Sequence, residues 1–216
     1  MAQIFGRGAN TIAKVSIVSV ILLVAGSLGL FAAIIRSSYM TRVGVAREQP
    51  IPFSHKHHVS QLGIDCRYCH ASVEVSHFAG MPPTHTCMSC HSQIWVSSPM
   101  LEPVRASYRN NESIAWTRLH DLPNFVYFNH SIHVKKGIGC QSCHGSIDQM
   151  EIAYKSNSLY MEWCLNCHRE PEKYIRPREA IFDMHYIPKE PQEILGPKLV
   201  KEYKVQKLLD CYTCHR

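Results

Sequence analysis

Hydrophobic and polar positions along the chain follow two different regimes. From Val15 to Ile35 there are 21 consecutive residues without a charge, bounded by Lys14 and Arg36. At about 1.5 Å per residue this predicts a helix of roughly 32 Å, enough to cross the hydrocarbon core of a bilayer. A cleaved signal peptide has a shorter apolar stretch, about 7–15 residues, and then a small-residue cleavage site. Here the stretch is longer and Arg36-Ser-Ser-Tyr-Met follows it. A buried core helix would show a polar stripe, and Ser16, Ser19 and Ser27 form only a thin one. The segment, about residues 13–36, therefore reads as a retained transmembrane anchor. Its small residues, among them Gly26, Gly29, Ala32 and Ala33, permit close packing on other membrane helices; a plain lipid-facing tether is the alternative.

Beyond residue 47 no such run recurs. The clearest helical pattern is Pro197 to Leu209, with Pro in the first turn and Leu199, Val200, Tyr203, Leu208 and Leu209 on one side. Pro82-Pro83, Pro99, Pro103, Pro123, Pro171, Pro177 and Pro188 punctuate the rest as loops. Val73, Val75 and Phe125 to Phe128 offer only hairpin-length runs. The expectation is a mostly irregular chain with short α-helices and little or no sheet.

Charge changes this picture little. The formal net charge is +6, and charged residues are 19% of the chain. Residues 1–47 hold Arg7, Lys14, Arg36, Arg42 and Arg47 and no acid, leaving 18 Lys and Arg against 17 Asp and Glu in the remainder. The basic excess is a collar around the apolar segment. A nucleic-acid-binding face is not indicated.

The cysteines change it a great deal. Cys-x-x-Cys-His occurs five times, at Cys66-Cys69-His70, Cys87-Cys90-His91, Cys140-Cys143-His144, Cys164-Cys167-His168 and Cys211-Cys214-His215, and these use all ten cysteines. Two thiols at this spacing can each add to a vinyl group of one porphyrin, and the adjoining His then lies under the ring as an iron ligand. Half-sites for zinc or five disulfides are the other readings, and neither explains why His follows the second Cys every time. The motifs therefore predict five covalently bound haem c groups. Because haem c is attached outside the cytoplasm, the N-terminus is expected inside and the haem domain in the bacterial periplasm, giving a single-pass inner-membrane protein.

Nine of the fourteen histidines remain: His55, His57, His58, His77, His85, His120, His130, His133 and His185. Two stretches read alike: Phe53-Ser-His55-Lys-His-His58-Val59 leading to Gly63-Ile-Asp-Cys66, and Phe128-Asn-His130-Ser-Ile-His133-Val134 leading to Gly137-Ile-Gly-Cys140. The offset is 75 residues at the histidines and 74 at the cysteine, and a second motif follows each copy at an offset of 77. This predicts two dihaem repeats and a fifth haem at the C-terminal end. Two His three apart on a helical turn share a side and can reach different irons, so His55, His58, His130 and His133 are expected as four distal ligands. His57 is expected to point away. His120 is chosen as the fifth distal ligand, with Met184 or His185 as the runner-up and His77 and His85 further behind. Met would raise one potential relative to two-imidazole haems.

The expected plan is an anchor and linker over 1–47, repeats over 48–115 and 116–180, and the fifth haem over 181–216. About 34 residues per haem allow no large apolar core of peptide, so a haem-dominated core is expected.

The paired Phe-x-His-x-x-His ahead of Cys-x-x-Cys-His resembles the cytochrome c3/c7 class (class III) of multihaem cytochromes. The whole pattern is also similar to the membrane-anchored pentahaem subunits of bacterial alternative complex III. That similarity rests on Gly63-Ile-Asp-Cys66-Arg-Tyr-Cys-His70, Gly80-Met-Pro-Pro, Val126-Tyr-Phe-Asn-His130, Met161-Glu-Trp-Cys164-Leu-Asn-Cys-His168-Arg-Glu-Pro and Pro177-Arg-Glu. It implies a non-catalytic relay subunit beside quinol-binding and iron–sulfur subunits, handing electrons to a monohaem cytochrome c or a terminal oxidase. Two other classes compete. One is a stand-alone quinol dehydrogenase of the NapC/NirT type. The other is a catalytic multihaem reductase, which needs an iron with an open position; the surplus of histidines and the lack of a Cys-x-x-Cys-Lys variant argue against it.

Overall fold

The computed structural model describes residues 4–215, and the chain divides after Arg42 into two units. The first holds α1 (Ala9–Arg36) and the short α2 (Ser38–Thr41). With 28 residues α1 is about 42 Å long. It reaches a mean hydropathy of 2.6, and none of its residues is buried. The hydroxyls of Ser16, Ser27 and Ser37 donate to the carbonyls of Ala13, Val24 and Ile34 at 3.0, 2.9 and 2.6 Å. These three hydroxyls are satisfied by the helix's own carbonyls, as a lipid environment favours. The helix is long and apolar enough to cross a membrane.

The second unit, from Val43 onward, carries α3 (Cys66–Cys69), α4 (Thr84–His91), α5 (Glu102–Asn110), α6 (His130–Lys135), α7 (Cys140–His144), α8 (Met161–Arg169), α9 (Gln192–Glu202) and α10 (Cys211–Cys214). Loops and isolated 3₁₀ turns join them. Among the described residues there is no sheet, only the single bridges Val43 to Lys155, Ala46 to Tyr154 and Ile138 to Ile175.

One expected helix is displaced. The pattern places it at Pro197 to Leu209, whereas α9 starts at Gln192 and ends at Glu202, with Pro197 inside it. Extended Pro191 precedes the first turn, and the Gln192 amide donates to the carbonyls of Glu172 and Ile175 at 2.7 and 2.9 Å, which anchors the start. The helix stops because Lys204 takes φ 51° and the Lys136 ammonium donates to the carbonyls of Tyr203 and Lys204 at 2.6 and 3.2 Å. Those tertiary bonds replace the next helical turn.

The repeat seen in sequence is also a repeat in structure, with one difference. In the second copy the His pair lies on the α-helical turn α6; in the first it lies on a π-helical turn, Lys56–Gln61, with His55 at its head. Cys66 lies eight positions after His58, but Cys140 only seven after His133. The corresponding closing bonds are Ile64 N–H to His58 O (3.1 Å) and Ile138 N–H to His133 O (3.0 Å). The wide turn thus absorbs one extra residue and leaves both ends in equivalent places.

Apolar packing is local. Ile51, Leu101 and Val104 form one buried cluster, Val73, Val134 and Ile181 a second, and Ile175, Leu199 and Tyr203 a third. The second draws on both repeats.

Candidate haem-binding sites

Each Cys-x-x-Cys pair sits on a short helix, so its two cysteines, three apart, project to one side. Local chemistry builds two of these helices alike. The Asp65 carboxylate caps α3 by accepting from Arg67 N–H at 2.8 Å, and Asp210 caps α10 by accepting from Thr213 N–H at 3.1 Å. The Arg67 guanidinium holds the Asp65 carboxyl below its usual range. All ten cysteines are unbridged thiols. Burial raises several of them, Cys140 to about 11 and Cys143 to about 12, so they stay protonated. Among the described residues no three His, Cys, Asp or Glu side chains converge as ligands of a bare ion.

The histidine pairs are held by their phenylalanines in the same way in both copies. Phe53 meets His55 edge-on at 5.0 Å and stacks on His58 at 4.4 Å. Phe128 meets His130 edge-on at 4.8 Å and stacks on His133 at 4.4 Å. His58 Nδ1–H donates to Ser54 O at 2.8 Å, and His133 Nδ1–H to Asn129 O at 2.7 Å. The same device recurs at His70 (to Gly80 O, 2.7 Å), His91 (to Ile94 O, 3.2 Å), His130 (to His77 O, 2.9 Å) and His215 (to Phe125 O, 3.1 Å). A carbonyl on Nδ1 fixes the tautomer, turns the ring and leaves Nε2 free to ligate a metal.

The rings then come into pairs at the spacing a shared iron would need. A metal–imidazole bond is about 2 Å long and the ring centre lies about 1 Å further back, so imidazoles on opposite sides of one iron have centres about 6 Å apart. His58 and His91 are 6.3 Å apart, His133 and His168 6.2 Å, and His130 and His144 6.5 Å. His55 lies in electrostatic reach of His70, and burial first, then that neighbour, lowers its pKa to about 4. His144 is lowered to about 3, chiefly by burial. Neutral imidazole is the form that binds iron. The buried Nδ1 of His55 and of His144 has no hydrogen-bond partner.

The fifth distal position is less complete. His120 is lowered to about 4 by burial, and its buried Nε2 has no partner, but its ring lies 4.3 Å from His144, not beside His215. Met184 is buried, while His185 is 73% exposed and bonded to Asp148 at 3.0 Å. His77 and His85 are exposed, and His57 is exposed and bonded to Gln61. His215 has Phe125 as its ring neighbour at 5.8 Å. Sequence reasoning missed the positioning by Phe53 and Phe128 and the use of the His77 carbonyl, although the shared Phe two residues before each first His signalled the former.

The donor set fits haem c: paired thiols on one helical side, an adjoining imidazole, and, at three of the motifs, a second imidazole at the span of an iron. Residues 126–216 match the family described as cytochrome c7 and related cytochrome c. Over 99 residues, 45% of the chain, it is 38% identical to the menaquinone reductase multiheme cytochrome c subunit of Nitratidesulfovibrio vulgaris. The chain spans 46% of that protein's length. Over residues 126–216 the chain is thus cytochrome c7-like, within a fold of short helices and loops that also carries one N-terminal helix apolar enough to span a membrane.

Proposed function

We propose that the chain is the pentahaem relay subunit of a membrane quinone-linked oxidoreductase of the alternative complex III kind, anchored by α1 with its N-terminus in the cytoplasm and its haem domain in the periplasm. The observation that carries this is the repeated pairing of imidazoles at 6.2–6.5 Å, three times over. Haem iron supplies reversible one-electron chemistry when bound. At these pairs the side chains would offer a bound iron two nitrogens, which would leave it no open position for a substrate. His55 with His70, His58 with His91, His130 with His144 and His133 with His168 are the four sets; His120, whose ring lies beside His144, stays the candidate for the fifth distal ligand, with Met184 or His185 as the runner-up. The cysteines of the five motifs provide ten thioether links. Carbonyl bonds at Nδ1 raise the basicity of the ligating nitrogens.

In this reading the complex supplies the quinol-binding and iron–sulfur subunits, and electrons leave to a monohaem cytochrome c or a terminal oxidase. A second reading of direction is favoured by the relative, whose printed name describes reduction of menaquinone; there the relay runs toward the quinone. Purification from native membranes in mild detergent tests the assignment. The expected result is copurification of large multi-spanning subunits, with rapid haem reduction by quinol or haem oxidation by quinone only in the complex. Turnover with quinol by the isolated chain would overturn it in favour of the NapC/NirT type.

A further inference from the structure

We infer that the five attachment motifs are aligned in space in the order second, first, third, fourth, fifth, so that the second and fifth are the two ends at which redox partners meet this domain. The inference rests on the five-haem reading above and concerns its wiring. Contacts between neighbouring motifs carry it. Between the second and first, the intervening residues touch directly: the Tyr68 hydroxyl of Cys66-Arg-Tyr-Cys69 and the Ser89 hydroxyl of Cys87-Met-Ser-Cys90 are 2.7 Å apart.

The first motif then adjoins the third. Val73, three residues after His70, packs with Val134 and Ile181 against Cys140. The backbone of α6 docks on the loop after His70, with His130 N–H donating to His77 O and Ser131 N–H to Ser76 O, both at 3.1 Å. Burial and then Cys66 raise the Cys140 thiol. Third and fourth are tied through one helical turn, since the His130 ring lies 6.5 Å from that of His144 and the His133 ring 6.2 Å from that of His168. Fourth and fifth meet through residues 125–128: Tyr127 N–H donates to Cys214 O at 2.8 Å, His215 to Phe125 O, and Phe128 stacks on His133. Cys164, raised first by burial, is also raised by Cys214.

Exposure agrees with this order. Cys90 and Cys211 are exposed and the other eight cysteines are partly buried, so each end of the line has one open thiol position and the middle has none. Trp95 beside the second motif is 58% exposed and Tyr212 within the fifth is 82% exposed, leaving aromatic surface at each end. Exposed aromatic rims suit transient docking of another redox protein.

Neighbour counting in the full-length holoprotein tests the order. Each iron's potential responds to the charge of the haems beside it, so loss of one haem shifts its direct neighbours most. The first measurement is haem per chain by pyridine haemochrome: fewer than five overturns the reading on which the order rests. With five present, redox titration of C87A/C90A should move one remaining midpoint and C66A/C69A two. C140A/C143A should move two and C211A/C214A one. A sequence-ordered line gives the reverse for the first two variants, and that result refutes the order. Should a deletion variant fail to accumulate, His91→Met and His70→Met keep the covalent haem and raise its potential instead; the same one-against-two pattern is expected, and its inversion is equally fatal.

Discussion

Phe128 touches both histidines of the second pair, which makes its replacement a sharp probe of how the imidazoles are aimed. F128L keeps most of the apolar bulk and removes the aromatic contacts, one stacked at 4.4 Å and one edge-on at 4.8 Å. Aromatic pairs contribute about 0.5–1.5 kcal/mol each beyond area burial, and the part-exposed position favours the lower half, about 1–2 kcal/mol in total. For a domain of this size that corresponds to a fall in Tm of about 2–8 °C. Freed rings also turn about the metal bond, so low-temperature EPR of the oxidised protein should show altered low-spin signals at two haems. F53L should match F128L in both readouts, because Phe53 meets His55 and His58 in the same geometry. Tyr212→Leu, at an exposed ring, serves as the control. An F128L protein with wild-type EPR signals, or a Tm loss no larger than that of the control, would refute the positioning role.

Three further outcomes follow from the geometry. Gly63 and Gly137 are repeat equivalents, both at positive φ (68° and 86°), but a Cβ on Gly63 meets nothing within 4 Å, whereas one on Gly137 lies 2.6 Å from Arg176 O and 2.9 Å from the Tyr203 ring. G63A should cost only the left-handed backbone, about 1–2 kcal/mol, and G137A clearly more, read as the difference in thermal unfolding. Asp65→Ala should remove the α3 cap at about 1 kcal/mol, while Asp65→Asn should retain most of it. Because Arg67 depresses the folded pKa of Asp65, its charge-dependent contribution is present above about pH 4 and is lost as pH falls through the folded value; acid unfolding of wild type against D65N should converge at low pH. Reduced full-length protein exposed to carbon monoxide should show no stoichiometric shift of any Soret band if, as proposed, each iron takes two protein ligands.

What could be read from sequence and what could not divide along physical lines. The Cys-x-x-Cys-His motifs and the anchor are local patterns whose chemistry depends on spacing alone, and the repeat exposed the His pairs because identical residues recur at a fixed offset. The boundaries of α9 were hidden because Pro197 normally opens a helix, while the bonds from Gln192 and Lys136 that set its ends come from residues distant in sequence. The π-helical turn left only a one-residue difference between two offsets. Which imidazole faces which is a tertiary property: His120 stands near His144 because the chain folds there. The carbonyl of His77 matters to His130 where its side chain had been the candidate.

The proposed function requires five irons, each held between two protein ligands. Quantitative low-temperature EPR of the oxidised full-length protein addresses it in a single sample. The account predicts spin intensity for five low-spin ferric haems per chain and no high-spin component. A high-spin signal integrating to one haem, or a total short of five, would contradict it.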